Sequence, residues 1–218
     1  MSQGRVTDME EPPRNSQERS SERMSREENI RQDPPSRGYT KLANTVDVFD
    51  FDFHGKTVLD IGSSTGGFTK YALDHGAIKV IAVEKGTNQM RAPLCYDPRV
   101  ELHEKTDIFT FVLSNLPDII VADVSFISLT KVLQYAKQYL ADNHTDFLVM
   151  LKTKFEAKSS QLTNGVVKNE TIRRAIIKHF EQWLKNNNFI IIRKHDNDLK
   201  GKTGNRERFY LLKLAKAI

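Results

Sequence analysis

Val58-Leu59-Asp60-Ile61-Gly62-Ser63-Ser64-Thr65-Gly66-Gly67-Phe68 is the stretch on which the reading of the chain turns. Val58, Leu59 and Ile61 form a short apolar run that stops at a glycine, the pattern of a buried parallel strand entering a tight turn. Gly62, Gly66 and Gly67 permit a backbone that bends sharply and approaches a ligand closely. From Phe68 to Leu73 a helix begins, so its first N–H groups face whatever sits on the loop. Further on, the run Val80-Ile81-Ala82-Val83 ends at Glu84. An acid at the tip of the second strand of such a unit can accept hydrogen bonds from both hydroxyls of a ribose. The spacing Gly62-x-x-x-Gly66-Gly67 is neither the G-x-G-x-x-G of dinucleotide sites nor a P-loop.

The chain has 218 residues, enough for one domain with a tail and a proper apolar interior. Its 33 Lys and Arg exceed 28 Asp and Glu, for a formal net charge of +5. That excess is modest and compatible with RNA or another polyanion as partner. One cysteine, Cys95, excludes an intrachain disulfide and a cysteine-cluster metal site, and the histidines show no metal-ligand spacing, so no metal is expected. No apolar run is long enough to span a membrane, and no secretory signal is evident at the N-terminus, so no membrane partner and a cytoplasmic location are expected.

Residues 1–37 form a separate block with seven Arg, no Lys, eight acids and few apolar side chains. It cannot bury enough surface to offset its ordering entropy, and a disordered charged tail is expected, with a transient helix near Gln17 to Ile30. Residues 38–218 read as one domain. Apolar periodicity predicts a helix over Tyr39–Phe51, strands over Thr57–Ile61, Lys79–Glu84, Val100–His103, Pro117–Asp123 and Phe147–Lys152, and helices near Asn88–Leu94 and Ser128–Asn143. The longest helix is expected over Thr171–Asn187, with Ile172, Ala175, Ile176, His179, Phe180 and Trp183 turned inward. Strands Phe189–Arg193 and Arg208–Leu214 follow, joined by a polar loop, Lys194–Asn205. Alternating strands and helices predict an α/β three-layer sandwich around a mostly parallel, seven-stranded sheet.

Ligands of such sheets bind at the carboxyl ends of the strands. There the chain sets the glycine loop, Glu84, Asp107 after strand three, Asp123 at the end of strand four and Lys152 at the end of strand five. Each alone is an ordinary helix cap or solvated charge. Together they would place acids and a lysine around one crevice. Lys194, Lys200, Lys202, Arg206 and Arg208 would add a basic stretch for phosphates. Tyr39, Phe68 and Phe126 are candidates for stacking on bases, with apolar packing the expected role of Phe126.

The Asp60-x-Gly62 start with Glu84 downstream resembles the S-adenosylmethionine site of class I methyltransferases, a Rossmann-like fold. More of the chain resembles the hemolysin A-type (TlyA) ribosomal RNA 2′-O-methyltransferases of the FtsJ-like group. Ser36-Arg-Gly-Tyr-Thr-Lys41-Leu42 is similar to their entry segment, Asp60 to Phe68 to their cofactor loop, and Asp123-Val-Ser-Phe-Ile-Ser-Leu129 to their fourth motif. Lys152-x-x-Phe155-Glu156, Asn164-Gly-Val-Val167 and Gly204-Asn-Arg-Glu207 follow in the same order. The resemblance implies a catalytic tetrad of Lys41, Asp123, Lys152 and Glu207. It implies an S-adenosylmethionine site built from Asp60, Gly62, Ser63, Gly66, Gly67, Phe68, Glu84, Asp107 and Asp123. In it Glu84 would hold the ribose, Asp107 would face the adenine and Asp123 would lie near the methionine end. Lys152 would either take the proton of a ribose hydroxyl or stabilise the developing alkoxide. The expected partner is RNA, ribosomal RNA or a ribosomal subunit.

The chain departs from that group in three places. A charged tail stands where an S4-type RNA-binding module usually begins the protein. Lys152-Thr-Lys-Phe-Glu156 replaces Lys-Pro-Gln-Phe-Glu and brings a second lysine, Lys154, two positions on. Arg206 replaces an apolar residue beside Glu207. A catalytically inactive binding module for RNA or the ribosome is therefore the alternative to an enzyme. A membrane-lytic role, suggested only by the hemolysin name, has no support in the sequence.

Overall fold

Side chains alternate cleanly across the central strands, and that alternation assigns every element to a layer. In the computed structural model, which describes residues 36–197, 199 and 205–215, Val58, Val80, Ile119, Val121, Leu148, Met150 and Phe209 pack on one face of the sheet. Their neighbours Leu59, Ile81, Ile120, Phe147, Val149 and Tyr210 pack on the other. Strands buried on both faces need continuous apolar runs, which these segments have.

The strands are β1 (Thr57–Ile61), β2 (Lys79–Val83), β3 (Val100–His103), β4 (Ile119–Ala122), β5 (Asp146–Leu151), β6 (Phe189–Asp196) and β7 (Arg208–Leu214). They form one sheet in the order β3-β2-β1-β4-β5-β7-β6. All neighbouring pairs from β3 to β5 are parallel, and β7 runs antiparallel to both β5 and β6. Helices α1 (Arg37–Phe49) and α2 (Gly67–Asp74) cover the first face, through Leu42, Val46, Phe49, Phe68 and Tyr71. Helices α3 (Leu129–Tyr139) and α4 (Glu170–Asn186) cover the second, through Leu129, Val132, Ile177, Phe180 and Leu184. The result is the expected three-layer α/β sandwich.

Four expectations need correction. No α-helix forms over Asn88–Leu94. The Glu104 carboxylate accepts the N–H groups of Asn88, Gln89 and Met90 at 2.6, 2.7 and 3.3 Å, so those donors go to a side chain and not to a helical ladder. The inner stripe of α4 is rotated: Arg173, Ile176, Ile177, Phe180 and Leu184 are buried, while Ala175 and His179 are exposed. Arg173 is drawn inward by an ion pair with Asp196 at 2.7 Å. Strand β6 runs to Asp196, beyond the expected end at Arg193. Helix α1 opens at Arg37, capped by the Ser36 hydroxyl, two residues before the expected start at Tyr39. The tail over residues 1–35, its transient helix, and Lys200, Lys202 and Gly204 lie outside the described residues.

Candidate active site

The strand order reverses between β1 and β4, which leaves a crevice at their carboxyl ends. A cavity of about 660 Å³ occupies it. Gly62 and Ser64 of the glycine loop, Glu84 and Lys85 after β2, Asp107 after β3, and Asp123 to Ile127 after β4 line it. Gly62 sits at φ +81°, and a Cβ there would meet the Asp123 carbonyl oxygen at 3.3 Å, so the turn has room for glycine only. The Glu84 carboxylate accepts the N–H groups of Ser64 at 2.9 Å and Gly86 at 2.7 Å, which fixes loop and acid together. Asp107 accepts from Lys85 Nζ at 2.9 Å and from the Phe109 N–H at 3.1 Å. These two bonds, Lys85 first, hold its carboxyl below the usual range.

The rest of the predicted loop set lies outside the cavity lining. Asp60 alternates with Leu59 and Ile61, so it turns to the α1–α2 face, where the Thr69 hydroxyl donates to it at 2.7 Å. Phe68 packs against Phe209 with ring centroids 6.1 Å apart. Gly66, at φ +87°, is covered by Met90 and Leu94; a Cβ there would meet Leu94 Cδ2 at 2.3 Å. Gly67 lies against α1, and a Cβ on it would meet the Ser36 hydroxyl at 2.5 Å. Ser63 is buried, and its hydroxyl has no hydrogen-bond partner among the described residues. These five shape the loop from behind.

Beside the cavity, strand register gathers the four residues expected to act together. Ala122 pairs with Val149, which sets Asp123 near the end of β5. Arg208 pairs with both Leu151 and Asp196, so Glu207 lies at the level of Lys152 and Asn197. Two ion pairs result, Lys152 with Asp123 and Lys41 with Glu207. Lys152 Nζ also donates to the Ser125 hydroxyl at 2.9 Å. Burial raises the Asp123 carboxyl; Lys152 and then Lys41 oppose the rise, and Glu207 adds to it. All four side chains thus share one field. Glu207 pairs with Lys41 and not with Lys152 in this arrangement.

Lys154 does not compete with Lys152. The strand ends at Leu151 and a single helical turn, Thr153–Glu156, follows, so the two lysines no longer share a strand face. Lys154 instead lies over the Phe155 ring, 4.6 Å from its centroid. Of the expected basic stretch, Lys194 pairs with Glu181 and Arg208 with Asp196, and Lys200 and Lys202 lie outside the described residues. Phe126, expected to pack, is 93% exposed at φ +65°. Its loop is held because Glu156 accepts from the Ser128 hydroxyl and the Leu129 N–H, both at 2.7 Å.

With this geometry in view, likeness to known proteins becomes decisive. Residues 34–214 match the FtsJ-like methyltransferase family. The chain belongs to that family. The 23S rRNA (cytidine-2′-O)-methyltransferase TlyA of Campylobacter jejuni is 33% identical over 180 residues, 80% of this chain and 69% of the relative. The 16S/23S rRNA (cytidine-2′-O)-methyltransferase TlyA of Mycobacterium tuberculosis is 33% identical over 182 residues, 82% of this chain and 68% of the relative. Among solved structures, a candidate hemolysin from Streptococcus thermophilus superimposes with a TM-score of 0.79 at 31% identity, covering 84% of this chain and 67% of that one.

Sequence reasoning missed two polar groups of this FtsJ-like site. Ser125 lies inside the Asp123–Leu129 motif, in which the sequence singles out only Asp123 and Phe126. Asn197 had no signal, because its neighbours in space, Lys41 and Glu207, are remote in sequence. Among the described residues no helix is long and apolar enough to cross a membrane, and no cluster of His, Cys, Asp or Glu could hold a metal ion.

Proposed function

We propose that this chain is an S-adenosylmethionine-dependent methyltransferase acting on the ribose 2′-hydroxyl of ribosomal RNA. The observation that carries the reading is the pair of ion pairs, Lys152–Asp123 and Lys41–Glu207, set beside a cavity walled by Glu84, Asp107 and Asp123. The cavity residues suit the donor. It carries an amino-acid ammonium, a sulfonium, a ribose and an adenine, and acids outnumber bases along the wall. Asp123 Oδ1 is buried and forms the ion pair to Lys152. Glu84 would hold the ribose, Asp107 would face the adenine and Asp123 would lie near the methionine end. Asp60, Ser63, Gly66, Gly67 and Phe68 support the loop.

When bound, S-adenosylmethionine supplies an electrophilic methyl group. What this chain must supply is an aligned oxygen nucleophile and management of one proton. Lys152 Nζ, anchored by Asp123 and Ser125, is the group assigned to the ribose hydroxyl. Its pairing with a carboxylate favours the role of a cation stabilising the developing oxyanion. Lys41 and Glu207 orient the ribose. Phe126, with Phe155 at 5.4 Å and Lys154 behind, offers an aromatic surface for a base turned out of its stack. The relatives named as rRNA cytidine-2′-O-methyltransferases support this substrate class, and a cytoplasmic activity is part of the same reading.

Labelled methyl transfer to ribosomal subunits, with the product nucleotide mapped by mass spectrometry, tests the reading. Wild type should label a ribose, and Lys152→Ala should lose about 10²–10³-fold in rate. Equal labelling by the two proteins, or label on a base, would overturn it.

A further inference from the structure

The two halves of the Lys41–Glu207 pair come from elements that share no strand pairing. Lys41 is in the middle of α1, and Glu207 precedes β7. A salt bridge alone does not set the distance between their backbones. One residue spans them, by its backbone on one side and its side chain on the other. Asn197, 1% exposed, follows β6. Its backbone N–H donates to the Glu207 carbonyl at 2.9 Å. Its Nδ2 donates to the Lys41 carbonyl at 2.9 Å and lies 3.4 Å from the Thr45 hydroxyl. Its Oδ1 accepts the Leu199 N–H at 2.9 Å.

We infer that Asn197 is a positioning residue that sets the reach of Lys41 and Glu207 toward the substrate ribose. A helix interior carbonyl normally serves its own ladder only. The Lys41 carbonyl also takes the Thr45 hydroxyl at 3.0 Å and the Asn197 amide, so this turn of α1 is tied to β6 from outside. The strand end making the tie is itself rigid. Asp196 binds Arg208 at 2.7 and 2.9 Å and Arg173 at 2.7 Å, locking β6 to β7 and to α4. The amide is buried with its donors and acceptor engaged, an arrangement costly to leave half satisfied. The cavity wall contains no residue of α1, β6 or β7. Loosening the latch should therefore disturb the substrate side and spare the cofactor side. The role in catalysis rests on the methyltransferase reading; the geometric role does not.

Asn197→Ala and the isosteric Asn197→Asp, which keeps the backbone bond to Glu207, are the test variants. The latch predicts a fall in kcat of about tenfold or more, in line with the cost of misplacing a group by about 1 Å. Cofactor affinity by calorimetry should change less than twofold. In a Glu207→Gln background, Asn197→Ala should cost no further turnover, because both changes act through one pair. A readout without turnover is the Lys41–Glu207 contact in crystal structures of the two Asn197 variants, which should be broken or displaced. An unchanged Lys41–Glu207 contact in a folded variant overturns the inference, as does a kcat loss undiminished in the Glu207→Gln background. If the wild type transfers no methyl group to RNA, the methyltransferase reading fails, and the variant structures alone decide the latch. Should Asn197→Ala not fold, Asn197→Asp carries the same comparisons.

Discussion

Asp60 shows how one residue can be placed by motif and assigned its work by neighbours. Its carboxyl is fully buried on the α2 side, with Oδ2 bonded to Thr69 and Oδ1 lacking a partner among the described residues. Burial lifts it from 3.8 to about 7, against the Thr69 bond and with help from the charges of Asp123 and Glu84. The sign follows from linkage: a raised acid binds more protons in the folded state, so stability falls as pH rises from about 4 to about 7. Asn at this position accepts the Thr69 bond without a charge. Chemical denaturation of Asp60→Asn should therefore show a flatter pH dependence over that window, by on the order of a few kcal/mol, and a slope equal to wild type would refute the assignment. Asp196 has the opposite sign. Burial alone would raise it, yet Arg208 and Arg173 hold it at about 2. The stability it contributes is present above about pH 4 and is lost as pH falls toward 2. Asp196→Asn should shift the acid-unfolding midpoint upward, as followed by circular dichroism.

At the scale of elements, the contact between α1 and α2 is the tightest constraint on the site. Gly67 opens α2 and lies against the start of α1, where a Cβ would meet the Tyr39 N–H at 2.9 Å and the Ser36 hydroxyl at 2.5 Å. Backbone atoms cannot yield as a flexible side chain can. Gly67→Ala should push α1 away from the sheet, lower stability by about 1–3 kcal/mol and displace Lys41, so activity should fall more than cofactor affinity. Thermal unfolding and calorimetry on one preparation separate these effects. Most elements were legible from the chain alone. Strands β1, β3 and β7 span the residues expected of them, Thr57–Ile61, Val100–His103 and Arg208–Leu214. The rotated stripe of α4 was not legible, since Arg173 is buried by a partner on another element. Nor was the absence of a helix over 88–94, since the carboxylate that takes its amides comes from Glu104 after β3.

For the whole molecule, the proposed cofactor should bind the folded state alone and stabilise it by mass action. At about 100 times the dissociation constant the gain is about 2.7 kcal/mol, or several degrees in Tm for a chain of this size. Glu84→Gln and Asp107→Asn should reduce that shift, and Lys41→Met should leave it nearly intact, because Lys41 lies outside the cavity wall. A shift that survives loss of both acids would place the cofactor elsewhere. The sequence by itself determined the layered α/β architecture and the strand ends at which chemistry could sit, since apolar period is a property of contiguous residues; Lys41, Asp123, Lys152 and Glu207 were singled out as a set only by the family resemblance. Only the tertiary structure decided that Lys152 pairs with Asp123 and Lys41 with Glu207, that Asp60, Gly66 and Phe68 stand behind the cavity, and that Asn197 ties α1 to the end of β6. Those outcomes depend on which strands become neighbours and at what register, and the energy that selects them comes from burial shared among residues far apart in the chain.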